Sequence, residues 1–242
     1  MTPFPVLLFI RFPETADQWI RMFQFFVVLY FSISFHECAH AWAANRNGDD
    51  TARLMGRMTL NPIPHIDIIG TVIIPLIAFF SSGFALIGWG KPVPVDPVRF
   101  RNYRRGEIET SLSGPVSNLI LVVGALLLMR LYLKLAPIPV DAARNPVLIN
   151  FLGQIALLNM VLCLFNLIPI YPLDGSHVLK EFLSREALET YDKLISPYGW
   201  IILLVLLNIG ALGFIFDIGF RVMLLFVRDP LIWLRLMGAQ TA

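Results

Sequence analysis

Long apolar runs alternate with short polar ones along the 242-residue chain. Residues 19–44, 110–133 and 147–172 each exceed the ~18 residues that license a membrane span, and they predict three crossing helices. Asn47-Gly48 marks the end of the first, and Pro169 and Pro172 break the third just before Asp174. A further apolar stretch, 66–90, is interrupted by Gly70, Pro75, Ser81-Ser82-Gly83 and Gly88. Directly after it, "GWGKPVPVDP" (88–97) alternates Val with Pro. Proline fixes φ and donates no N–H, so this segment predicts extended chain rather than helix. Residues 1–18 form a Pro-rich lead-in, Arg99 to Arg105 a basic loop, and 173–196 a polar helical region. Residues 198–236 are apolar again, with a break expected near Gly210, Gly213 and Asp217, and so form one span or two.

Composition sets the class. Hydrophobic residues make up 57% of the chain and charged residues 15%, against roughly 25% charged in soluble domains. The expectation is an all-α polytopic membrane protein, one integral-membrane domain over residues 1–242. It would have a three-helix core, a re-entrant or extended segment over about 66–97, and the C-terminal apolar region. Cys38 and Cys163 both lie in apolar runs, which argues against a disulfide framework or a cysteine zinc site. "PFPVLLFIRFPE" lacks the basic n-region of a cleavable signal peptide. The net charge of +2 gives no sign of a nucleic-acid partner.

Candidate chemistry sits at the end of the first span, where "HECAH" (36–40) spells H-E-x-x-H. Positions four apart share one helix face, so His36 and His40 can offer two imidazoles to one ion. Glu37 is turned about 100° away, placed to take a proton from water without ligating the metal. Cys38 points to roughly the opposite face. Chance alone yields this motif roughly twice in a thousand such chains, before a helix is required. A charged residue at a span centre costs about 2.5–3.5 kcal/mol even on the lenient scale, so an idle Glu37 is hard to explain.

A zinc hydrolase needs a third protein ligand and one open position. His65, Asp67, Asp174, His177 and Asp217 are candidates. Asp174 fits best, because it follows the polar end of one span as His40 precedes the polar end of another. His65 and Asp67 are better suited to ordering a loop or an interfacial turn, His177 to a headgroup-level position, and Asp217 to a helix break. For His40 and Asp174 to meet, their spans must run parallel, with 110–133 crossing between them. Residues 66–90 must then dip in and return. Placing the flanking loops on one side gathers eleven of the nineteen Lys and Arg residues there, which makes the motif face cytoplasmic in a multi-pass cell-membrane protein. A re-entrant backbone is tolerated only where protein or a water-filled cavity covers it.

With these residues in place, the chain resembles the site-2 protease family of intramembrane zinc metalloproteases. "HECAH" matches the motif of its first core helix, and "NLIPIYPLDG" (166–175) the N-x-x-P and L-D-G signature of its third. "SGPVSN" (113–118) is similar to the start of the middle helix, and "GWGKPVPV" to the extended loop between the first two. The resemblance implies one Zn2+ per chain held by His36, His40 and Asp174, with Glu37 as general base. It implies Asn118 and Asn166 near the substrate cleft. Residues 91–95 would pair with an unwound strand of a transmembrane-protein substrate through main-chain hydrogen bonds. No stretch is long enough for a PDZ domain and no C-terminal nucleotide-sensing domain is visible, so a minimal member of that family is expected. The alternative is a non-proteolytic metal-binding membrane protein, a transporter or an inactive chaperone-like relative. A transporter predicts inverted repeats, and none is visible; an inactive relative predicts loss of Glu37 or a ligand, and all are present.

Overall fold

The computed structural model describes residues 14–80, 88–135 and 146–226. Among those residues every regular element is a helix. The first helix, α1 (Ala16–Asn47), begins at a capping box in which Thr15 Oγ1 accepts from the Gln18 N–H and the Gln18 side chain accepts from the Thr15 N–H. It stops at Asn47, where Gly48 takes a φ of 115° that favours glycine. The short α2 (Thr51–Leu54) follows.

The apolar stretch after it does not cross. Asp67 caps a π-helical turn, Ile68–Ile73, by accepting from the N–H groups of Ile69 and Gly70, and the turn runs into α3 (Ile74–Phe80). The chain returns beside its own entry. The Trp89 N–H donates to Gly70 O at 3.2 Å, the Lys91 N–H to His65 O at 2.9 Å, and the Thr71 hydroxyl to Trp89 O at 2.8 Å. The segment therefore enters and leaves at the same level, as the parity of the spans requires. Ser81-Ser82-Gly83 lies outside the described residues. Residues 88–96 form neither helix nor strand, and Asp96 at their end is extended.

The second long helix, α4 (Tyr103–Leu135), starts seven residues before the expected span. Asn102 Oδ1 accepts from the Arg105 N–H, so the helix takes in Arg104 and Arg105 from the basic loop. The third, α5 (Pro146–Asn166), ends at Asn166 rather than residue 172, since Pro169 and Pro172 cannot continue the backbone ladder. The polar region divides into α6 (Asp174–Lys180) and α7 (Arg185–Leu194). The C-terminal apolar region divides too, into α8 (Gly199–Asn208) and α9 (Gly213–Phe226). At ten residues α8 rises about 15 Å, half the hydrocarbon thickness. Residues 227–236 lie outside the described part.

Among the described residues four stretches are long and apolar enough to cross a membrane: α1, α4, most of α5, and Arg185–Asn208, which joins α7 to α8. The α1 and α5 helices run parallel with α4 antiparallel between them. The amide of Gln24, early in α1, donates to Val147 O at the start of α5, while Met129, late in α4, packs with Ile149 and Leu152. A core of Val122, Leu126, Met129, Ala156, Met160 and Met223 joins α4, α5 and α9. A second, of Ile168, Leu173, Leu203 and Leu212, holds the turn that carries Asp174.

Asp49 fastens the end of α1 to the extended segment. It is fully buried and accepts from the Asp96 N–H at 2.7 Å, the Thr51 N–H at 3.0 Å and the Thr51 hydroxyl. Burial pushes its carboxyl up, but these donors outweigh that and hold it below the usual carboxylate range. A carboxylate depressed in the folded state stabilises the fold above its unfolded pKa and loses that contribution as pH falls through the folded one. Asp49→Ala is therefore expected to cost roughly 1–3 kcal/mol by orphaning buried donors. Thermal unfolding in detergent checks this. Wild type should lose stability on acidification, and Asp49→Asn should flatten that dependence.

Candidate metal centre

Two helices carry the donors. His36 and His40 lie one turn apart on α1, and Asp174 opens α6, directly after the turn that ends α5. The two Nε2 atoms are 3.0 Å apart. Asp174 Oδ2 lies 3.3 Å from that of His36 and 3.4 Å from that of His40. Among the described residues these three form the group able to hold a metal ion.

The other ring nitrogens explain why. His40 Nδ1 is 2.7 Å from Thr110 O, a backbone carbonyl that can only accept, so His40 is protonated there. His36 Nδ1 is 2.7 Å from Asn118 Oδ1 and donates likewise. Both neutral imidazoles then turn bare Nε2 lone pairs toward each other. Asp174 Oδ2, buried and without a hydrogen-bond partner, turns a third to the same point. Three converging lone pairs repel unless a cation lies among them. Donors spaced 3.0–3.4 Å apart suit tetrahedral bonds of ~2.0–2.1 Å, which set ligand atoms about 3.3 Å from one another. The residues thus fit zinc.

Glu37 is not among the donors. It lines the same cleft, and its Oε2 accepts from the Val93 N–H at 2.9 Å. The extended segment lies across the cleft, held by side chains. The buried Arg57 guanidinium donates to Lys91 O at 2.7 Å and to Pro92 O at 3.2 Å. Several of the main-chain groups expected to meet a substrate are therefore bonded within the protein.

The cleft encloses about 900 Å3. Its apolar wall comes from Phe25, Leu29 and Ile33 on α1, Leu162 and Phe165 on α5, and Phe216 on α9. Asn166 lines it, its amide donating to Leu162 O. Asn118 does not line it but lies directly behind His36, with no exposed surface. His177 lines the cleft 3.9 Å from Glu107, outside the donor triangle, and burial pushes its imidazole pKa down. The loop-ordering reading suits His65 and Asp67: the buried His65 donates from Nε2 to Thr59 O, and Asp67 caps the π-helical turn. Asp217 pairs with Arg221 on α9, away from the centre. Cys38 is half-buried and Cys163 buried, both free.

Some supporting residues escaped the sequence. Thr110 acts through its backbone carbonyl, which no residue pattern signals. Asn159 is buried on α5 and bonded to Asn118 at 2.8 Å; as a lone amide amid an apolar run it could have been noticed.

Comparison with known proteins points to the same class of chemistry. Residues 24–207 match the model of Peptidase family M50. The chain is 39% identical over 181 residues to "Putative zinc metalloprotease YwhC" of Bacillus subtilis (strain 168), covering 74% of this chain and 78% of that one. It is 30% identical over 185 residues to "Putative zinc metalloprotease Rip2" of Mycolicibacterium smegmatis, covering 75% and 65% respectively. No solved structure matches the chain.

Gly114 on α4 faces the donor triangle so closely that a methyl group there would overlap Nε2 of both histidines. Gly114→Ala is expected to weaken zinc binding roughly tenfold to a hundredfold, the equivalent of about 1–3 kcal/mol of overpacking. Gly124→Ala, where an added Cβ meets nothing within 4 Å, should bind as wild type. Chelator competition on the two purified variants measures the difference.

Proposed function

The chain belongs to Peptidase family M50 and is a zinc metalloprotease of the site-2 type, and from that premise we propose that it cleaves peptide bonds within transmembrane segments. The observation that carries this reading is the convergence of three donors, His36 buried and His40 and Asp174 half-buried, in a cleft with apolar helix faces for walls. A soluble substrate has no reason to enter such walls, whereas an apolar segment loses no hydration by doing so.

In this reading His36, His40 and Asp174 hold one zinc, and Glu37 is the general base. When bound, zinc supplies Lewis acidity and brings the pKa of water toward ~7. Glu37 accepts the proton of the attacking water and returns it to the leaving amine. The Val93 N–H on Glu37 Oε2 restrains the carboxylate and leaves its other oxygen for that transfer. His40 and His36 keep their Nδ1 protons throughout, which reserves both Nε2 atoms for the metal. Asn166 lies on the cleft wall, where its carbonyl is available to a substrate main chain. The scissile segment must unwind, because a helix hides its peptide bonds. The basic loops beside the site support a cytoplasmic orientation in the cell membrane.

Glu37→Gln is expected to lower cleavage of a co-expressed transmembrane substrate by roughly 10²–10⁴ while zinc stays at about one per chain. Asp174→Ala should lose the metal as well. Undiminished cleavage by Glu37→Gln would overturn the general-base assignment. Cleavage confined to soluble peptides would overturn the intramembrane reading, and metal content of the purified variants separates catalysis from binding.

A further inference from the structure

Behind His36 lies a line of buried polar side chains that crosses all three core helices. His36 Nδ1 meets Asn118 Oδ1 at 2.7 Å. Asn118 Nδ2 donates to Asn159 Oδ1 at 2.8 Å. Asn159 Nδ2 donates to Ser32 Oγ and to Ile155 O, each at 2.8 Å. Asn118 and Asn159 have no exposed surface, and Ser32 has 2%. Water has no place in this line.

Each amide in the line could face either way, and each orientation dictates the next. One member has no choice: Ile155 O is a backbone carbonyl and can only accept. Asn159 must therefore turn its NH2 toward Ile155, which leaves Oδ1 facing Asn118. Asn118 must then offer its own NH2 there, which leaves Oδ1 facing His36. His36 must donate from Nδ1, which leaves Nε2 bare. Reversing the line would set Asn159 Oδ1 against the Ile155 carbonyl. It would also present the Asn118 NH2 to His36, forcing the proton onto Nε2 and removing a metal ligand.

We propose that Asn159 is a positioning residue that sets the direction of this line and so fixes His36 in its metal-binding tautomer. The inference rests on His36 being a zinc ligand. His40 needs no such device, since its Nδ1 faces the Thr110 carbonyl directly. One histidine is thus oriented by the backbone, and the other by a relay whose far end is backbone.

The test compares the full-length detergent-solubilised protein with Asn159→Leu and Ser32→Ala. The first removes the element that sets direction. The second removes one acceptor but keeps Ile155 O. Chelator competition should show zinc affinity falling roughly 10–100-fold in Asn159→Leu, the usual cost of losing a ligand's outer partner, and less than about threefold in Ser32→Ala. In zinc-free protein, 15N-histidine spectra should show His36 losing its Nδ1–H preference in Asn159→Leu while His40 keeps its own. Wild-type affinity in Asn159→Leu, an equal loss in Ser32→Ala, or the two histidines shifting together would each overturn the proposal. A wild-type protein that binds no zinc would defeat the metal assignment instead, and the zinc-free spectra would still decide this one.

Discussion

Two imidazoles and a carboxylate that meet inside an apolar bundle have no bulk water to hydrate them, so every remaining polar atom must find its partner in the protein. This requirement organises the core. His40 can face inward only where a carbonyl receives its Nδ1 proton, which places the Thr110 turn of α4 beside it. His36 can do so only beside Asn118, about two turns further along the same helix. The α4 helix must therefore lie against α1 over both positions, and glycine at 114 is what permits that approach. Since α5 delivers Asp174 and also holds Asn159, it must close the third side. The site is the reason these helices pack as they do, as much as the packing is the reason for the site.

The returning segment follows from the same geometry. With α1 and α5 parallel and α4 between them, a complete crossing by residues 66–90 would place Asp174 on the wrong face. The hydrogen bonds from Trp89 to Gly70 and from Lys91 to His65 close the base of the excursion, and the Asp67 cap satisfies the amides that start it. Backbone of this kind survives at membrane depth only where protein or a wet cavity covers it. Here the cleft lies against its return limb, with Gly88, Trp89 and Gly90 on the wall.

The sequence discloses what depends on side-chain spacing and hides what depends on backbone. The i, i+4 histidines and the depth-matched Asp174 were visible because helix periodicity and span ends are written in residue types. Spans were visible to within a few residues, and the larger errors have local causes. The Asn102 cap drew Arg104 and Arg105 into α4, and the prolines after Asn166 ended α5 early. Asn118 carried no mark to show whether it faces the cleft or the back of an imidazole; only packing across three helices decides that. The partners of His40 and of Asn159 are carbonyls, which every residue has, so no pattern could name them.

The extended segment shows most clearly how side chains substitute for a missing ladder. Prolines at 92, 94 and 97 remove three of the seven amide donors, so residues 91–97 cannot hydrogen-bond along their length as a strand does. Three buried or half-buried charges hold them instead. Arg57 grips the carbonyls of Lys91 and Pro92, Glu37 takes the Val93 N–H, and Asp49 takes the Asp96 N–H. Glu37 lies in α1, Asp49 just after it and Arg57 just after α2, so the segment is registered on the helix that carries the histidines. A one-residue slip would set Pro92 or Pro94, which have no N–H, opposite Glu37 and leave its carboxylate unrestrained. The alternation of Val with Pro therefore does more than extend the chain: it permits one register over the metal centre and excludes its neighbours.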